Sequence, residues 1–121
     1  MEISNLSSMT GGWFVGAFAP TALRTEAAEV AVKTYAAGST EPRHYHRIAT
    51  EVTLVLSGTA TFNDVVVVPG QIAMIPPGES VAFSALTDVV TVVAKVPSAP
   101  NDKYPGFGPD ETRYGGGPSA S

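Results

Sequence analysis

The sequence predicts an all-β domain, a sandwich or barrel of short strands, and three observations carry that expectation. Val and Ile number 19 against 5 Leu, with 12 Thr beside them, and β-branched side chains suit a pleated, half-buried surface. Short runs of such residues recur at near-regular spacing, each closed by Gly or Pro, the pattern of antiparallel strands rather than of β-α-β units. The 121 residues are 44% hydrophobic and 15% charged, which fits one domain with one core.

Taken in order, residues 13–18 form an apolar run after Gly11-Gly12, and residues 21–28 are the one place where a short helix is expected. Residues 29–35 alternate, with Val30, Val32 and Thr34 on one face and Ala31, Lys33 and Tyr35 on the other. The more aliphatic face is assigned to the packing layer, which leaves Lys33 and Tyr35 for a polar cavity or for solvent. Residues 51–57 and 59–63 flank Gly58 as two strands with a tight connection, and Asn63-Asp64 reads as a hairpin turn. Further strands are expected at 65–68, ending at Pro69-Gly70, at 71–75, ending at Pro76-Pro77-Gly78, at 81–85, and at 89–96, ending at Pro97. Lys95, near the end of the last strand, reads as a solvated edge charge. Of the 12 Gly and 10 Pro, ten fall within residues 97–121. The expected division is therefore a barrel domain over 1–104 and a Gly/Pro-rich flexible tail over 105–121, with Tyr104, Phe107 and Tyr114 available for partial docking.

Composition excludes several functions. Seven Lys and Arg against eleven Asp and Glu give a net charge of −4 and a pI near 4.9, so no basic footprint for nucleic acid or an anionic membrane is expected. The absence of Cys removes disulfides, thiolate zinc sites, iron–sulfur clusters and cysteine nucleophiles. No Lys or Arg precedes Arg24 and no long apolar run escapes Pro and Gly, so neither a secretory signal nor a transmembrane helix is expected. The expectation is a soluble, cytoplasmic protein.

The only two histidines, His44 and His46, are one residue apart. On a strand, positions i and i+2 project to one face, so two imidazoles can converge on one point. Glu51 opens a strand shortly afterwards, and two imidazoles with one carboxylate are a competent set for Fe, Mn, Ni, Co or Zn that leaves positions free. By the same alternation Arg43 and Tyr45 face away, Thr53 and Val55 share the side of Glu51, and Phe83 shares the side of Val81.

Gly38, His44, His46, Glu51 and Gly58 fit the first cupin motif: Gly, five residues, His-x-His, four residues, Glu, six residues, Gly. Gly70, Pro76 and Gly78 fit the start of the second motif, Gly, five residues, Pro-x-Gly, and Val81 and Ala85 stand where that motif carries a His and an Asn. Over residues 29–97 the chain resembles a small single-domain cupin. The resemblance implies a jelly-roll β-barrel (a double-stranded β-helix) of six to eight strands with its site in the barrel mouth. It further implies one divalent metal ion on His44, His46 and Glu51, reduced to three ligands because Val81 cannot coordinate, or else no metal, as in cupins that use a histidine for acid–base work on nucleotide-linked sugars.

Three functions follow as expectations: a metal-dependent enzyme, oxidoreductase or isomerase, acting on a small polar metabolite; a metal-free sugar-nucleotide isomerase or epimerase; and a non-enzymatic small-ligand binding or sensor module. Glu51 and Tyr35 are the candidate catalytic residues, and Lys33, Thr53, Met74, Val81 and Phe83 the candidate substrate contacts. A homodimer is expected, as the resemblance implies for small cupins, with Trp13-Phe14-Val15 as its candidate contact.

Overall fold

The computed structural model describes residues 1–111. Its strands are β1 (Trp13–Val15), β2 (Glu29–Tyr35), β3 (Thr40–Tyr45), β4 (Thr50–Ser57), β5 (Ala60–Phe62), β6 (Val65–Val67), β7 (Ile72–Ile75), β8 (Val81–Ala85), β9 (Val89–Val96) and β10 (Tyr104–Pro105). They form two five-stranded sheets, ordered β1-β2-β9-β4-β7 and β10-β3-β8-β5-β6, with every strand pair antiparallel. The count exceeds the six to eight expected because two short pieces, β1 and β10, each extend one edge. No helix among the described residues is long and apolar enough to cross a membrane.

The turns follow from residue chemistry. Asn63 and Asp64 take φ of 52° and 65° between the paired Phe62 and Val65, the positive-φ pair of a two-residue hairpin that Asn and Asp tolerate. Gly58 takes φ of 81°, and a Cβ there would fall 1.9 Å from the Asp88 carbonyl oxygen, so the crossing from β4 to β5 has room only for hydrogen.

Residues 21–28 form no helix, contrary to expectation. The Thr21 hydroxyl donates to the Phe14 and Leu23 carbonyls and the Ala27 N–H donates to Thr25 Oγ1, local bonds that compete with a helical ladder. Of the segment 105–121 expected as a tail, residues 105–111 are described, and here the partial docking expected of Tyr104 and Phe107 is seen. Tyr104 stacks on Tyr45 with ring centres 5.4 Å apart, and Arg43 and Arg47 lie 4.4 Å and 4.2 Å above the Phe107 and Tyr104 rings. Aromatic and cation–π contacts replace the aliphatic burial this segment lacks. Tyr114 lies outside the described residues.

In the first sheet the inward face is read off the register. β2, β9 and β4 align Glu29, Lys95 and Glu51 in one row, Ala31, Val93 and Thr53 in the next, and Lys33, Thr91 and Val55 in the next, with Tyr35 opposite Val89 beyond. One end of the barrel is therefore charged and the other apolar. Val55, Phe62, Ile75, Phe83 and Val89 belong to the buried apolar cluster. Burying a side chain of this kind stabilises the fold by about 1.5–3 kcal/mol, which fixes the sheets and leaves the polar end open for a site.

Candidate metal centre

His44 is the last residue but one of β3 and faces Val81 across the ladder, while His46 lies just past the strand. Their rings stand edge to face with centres 5.4 Å apart, and ligand atoms of His44, His46 and Glu51 all lie within 4.8 Å of one another. His44 Nδ1 lies 3.1 Å from the Pro42 carbonyl. A carbonyl only accepts, so the proton sits on Nδ1 and Nε2 keeps its lone pair for a ligand role. Thr53 Oγ1 donates to Glu51 Oε2 at 3.0 Å, which fixes the orientation of the carboxylate. The pKa of His46 is pushed down to about 4 by burial, with Lys95 and His44 adding to the effect. A neutral, buried imidazole is the form that binds a metal, so the donor set fits a divalent ion.

The loop between His46 and Glu51 is clamped from outside. Asp102 accepts from the N–H groups of Arg47, Ile48 and Ala49 at 2.9, 3.0 and 2.9 Å. Burial alone would raise the pKa of this carboxyl, but the three backbone bonds outweigh it and hold the value low. The Gly78 N–H donates to the His46 carbonyl at 2.7 Å, tying the two sequence motifs together. Beside it Glu111 accepts from the N–H groups of Ser80 and Gly108, one residue before Val81.

These groups open onto a cavity of about 170 Å³. Phe62, Val81 and Phe83 belong both to its lining and to the apolar core. Tyr35 packs its ring 4.5 Å from that of Phe83 and donates its hydroxyl to Glu41 at 3.0 Å. Burial, the Glu41 charge and that hydrogen bond raise the Tyr35 pKa well above the ordinary phenol value, so the hydroxyl keeps its proton at neutral pH.

No protein-family model matches the chain, and no curated protein matches it in sequence. Solved structures do match. An uncharacterised double-stranded β-helix protein from Klebsiella pneumoniae is 22% identical with a TM-score of 0.60, the match covering 67% of this chain and 71% of that one. A cupin superfamily protein from Desulfitobacterium hafniense is 17% identical with a TM-score of 0.54, covering 61% and 71%. The chain has the cupin fold. The DMSP lyase DddQ from Ruegeria pomeroyi is also similar, at 17% identity and a TM-score of 0.60, covering 71% of this chain but only 46% of the lyase.

Within this cupin barrel the structure brings most of the sequence candidates to one cavity: Lys33, Tyr35, the three ligand candidates, Thr53, Val81 and Phe83 all line it. Met74 does not. It is 61% exposed on β7, because β7 pairs Met74 with Val52 on the outward phase of β4. Lys95 is not a solvated edge charge either: β9 is the central strand of its sheet, and Lys95 lies 3.6 Å from Glu29 and 4.7 Å above the centre of the Trp13 ring. Trp13 likewise lines the barrel mouth.

The charged and hydroxyl-bearing residues that sequence reasoning missed are Glu41, Thr91, Lys95 and Lys103, and Trp13, Phe62 and Val93 join them in the lining. Glu41 is three residues before His44, out of phase for a regular strand. The β3–β8 register shifts between Glu41 and His44, and Pro42, which has no N–H for a ladder, is the sequence signal for that bulge.

Proposed function

We propose that the protein is a metal-dependent enzyme of the cupin fold that acts on a small polar metabolite in the barrel cavity. The observation that carries this reading is the convergence of the His44, His46 and Glu51 ligand atoms within 4.8 Å of one another at a cavity mouth. These three residues would hold one divalent ion, Fe, Mn, Ni, Co or Zn. When bound, such an ion supplies Lewis-acid polarisation of a substrate oxygen.

The chain's own groups have separable roles in this proposal. The Pro42 carbonyl fixes the His44 tautomer, and Thr53 orients the Glu51 carboxylate. Val81 and Phe83 are apolar walls that exclude water from one side, and Val81 leaves the substrate a place that a fourth ligand would take. Tyr35 keeps a proton at Oη and is the candidate acid, with Glu41 as its partner. That the cupin-fold DMSP lyase from Ruegeria pomeroyi is an enzyme supports a catalytic use of such a barrel.

We place the protein in the cytoplasm, a reading that the absence of Cys supports. We also infer a homodimer. Its contact is assigned to the outer surface of β4, β6 and β7, where Leu56, Val65, Val66, Ile72 and Met74 are exposed, since Trp13 is occupied at the barrel mouth; light scattering on the purified chain tests it.

Elemental mass spectrometry on protein purified without a histidine tag tests the metal reading, beside a His44→Ala/His46→Ala control. Near-stoichiometric metal in the wild type and its loss in the control are expected. Metal retained by the control, or no uptake by wild type offered each of the five ions, would overturn it.

A further inference from the structure

The chain contains only three lysines, Lys33, Lys95 and Lys103, and all three line the same cavity. In a protein of net charge −4 a scattered set would spread over the acidic surface. Here the ammonium groups gather at the mouth of the barrel instead. Lys33 Nζ and Lys95 Nζ lie 5.9 Å and 4.7 Å from the centre of the Trp13 ring, and Lys95 is steadied by Glu29 at 3.6 Å. Glu41 and Glu51 are the cavity's carboxylates, the first engaged by Tyr35 and the second by Thr53. The lining thus carries three lysines against two carboxylates, and with Lys95 given over to Glu29 it is Lys33 and Lys103 that bring cationic groups to the cavity for an anion.

A second observation points the same way. Thr91 is 1% exposed and lines the cavity opposite Lys33 across the β2–β9 ladder. Its Oγ1 is buried without a hydrogen-bond partner among the described residues. An unpartnered buried hydroxyl costs about 1–3 kcal/mol, a cost that a ligand accepting its hydrogen bond would remove.

We propose that this cavity binds a small organic carboxylate, with Lys33 and Lys103 balancing its charge and the Thr91 hydroxyl donating to it. The inference names the substrate class for the enzyme proposed above and rests on that reading only for catalysis, since none of Lys33, Thr91 and Lys103 is a metal-ligand candidate. The volume, about 170 Å³, is close to that of a cavity of about 150 Å³ that accommodates benzene, so acids of roughly two to five carbons fit. Lysines act as point charges, and the bidentate guanidinium fork suited to phosphate is absent from the lining.

Trp13 is the only tryptophan, so its indole N–H resonance is a single reporter at the mouth. Chelator-stripped protein is titrated at constant ionic strength with acetate, the smallest carbon-bearing probe of the class, and with acetamide as its uncharged counterpart. A saturable shift with acetate and none with acetamide is expected. Lys33→Met/Lys103→Met should weaken acetate binding at least tenfold. Thr91→Val should weaken it several-fold while raising the urea midpoint of unfolding, a combination that a purely structural hydroxyl would not produce. Acetate binding retained in His44→Ala/His46→Ala separates this subsite from the metal reading, which is scored by metal content alone. No saturable shift with acetate, an equal response to acetamide, unchanged affinity in the lysine variant, or tighter binding of inorganic phosphate than of acetate would each overturn the proposal.

Discussion

Replacing Asp102 by Ala perturbs the metal centre without touching it. Asp102 is 5% exposed and holds three consecutive N–H groups, those of Arg47, Ile48 and Ala49. Arg47 and Ile48 are exposed, so their N–H groups find water when the carboxylate is removed. Ala49 is 2% exposed, and its N–H is left buried and unpaired at about 1–3 kcal/mol. With the loss of two further charge-assisted bonds the total is about 3 kcal/mol, which for a domain of this size lowers Tm by roughly 10–15 °C. The same loop joins His46 to Glu51, so metal affinity should fall by at least about tenfold, as it does when groups supporting metal ligands are removed. Asp102→Asn keeps one accepting oxygen and should lie between the two. Urea unfolding and chelator competition read the two effects. An Ala variant with an unchanged midpoint and affinity within twofold of wild type would show that Asp102 does not hold the loop.

Other outcomes follow from the same geometry. Val81→His places an imidazole across the ladder from His44, and chelator competition should report tighter metal binding, with overpacking costing about 1–3 kcal/mol of stability; weaker binding would mean that the Val81 position does not face the ligand set. Phe83→Ala removes a buried ring packed on both Tyr35 and Phe62, and denaturant unfolding should show a loss of about 3–5 kcal/mol. In metal-stripped protein His46 protonates near 4 against 6.5 for its ordinary value. Its contribution to stability is thus complete above about 6.5 and is lost as pH falls toward 4, by at most about 3 kcal/mol. An imidazole NMR titration at 6.5 would refute that. Asp102 and Glu111 are both held below the carboxylate range, so their contribution is complete above about pH 4 and disappears below it. Unfolding midpoints of wild type and Asp102→Ala should therefore converge as the solution is acidified.

What was legible in the sequence was what local pattern controls. The run 29–35, the run 81–85 and the run 89–96 coincide with β2, β8 and β9, because alternation and Gly or Pro boundaries act within a few residues. The two histidines and Glu51 were legible for the same reason, since period two and a short loop suffice to bring them together. Glu41 was not, because a bulge shifts the phase of β3 between Glu41 and His44. The aromatics Tyr104 and Phe107 were legible as docking residues, but their partners were not, since the ring and guanidinium contacts to Arg43, Tyr45 and Arg47 span some sixty residues of chain.

Lys95 shows where local pattern stops. Its phase was already determined, two residues from Val93 and four from Thr91 on one face of β9. Its environment was not, because a lysine near a strand end looks the same whether that strand is an edge or the centre of a sheet. The decision lies in pairing: β9 takes β2 on one side and β4 on the other, setting Lys95 between Glu29 and Glu51. A central position turns a charge that would discourage strand addition into one held over the metal-ligand row. That row accounts for a lysine inside the barrel where another valine would pack: Glu29 is 6% exposed, and a carboxylate so enclosed needs the partner that Lys95 supplies at 3.6 Å.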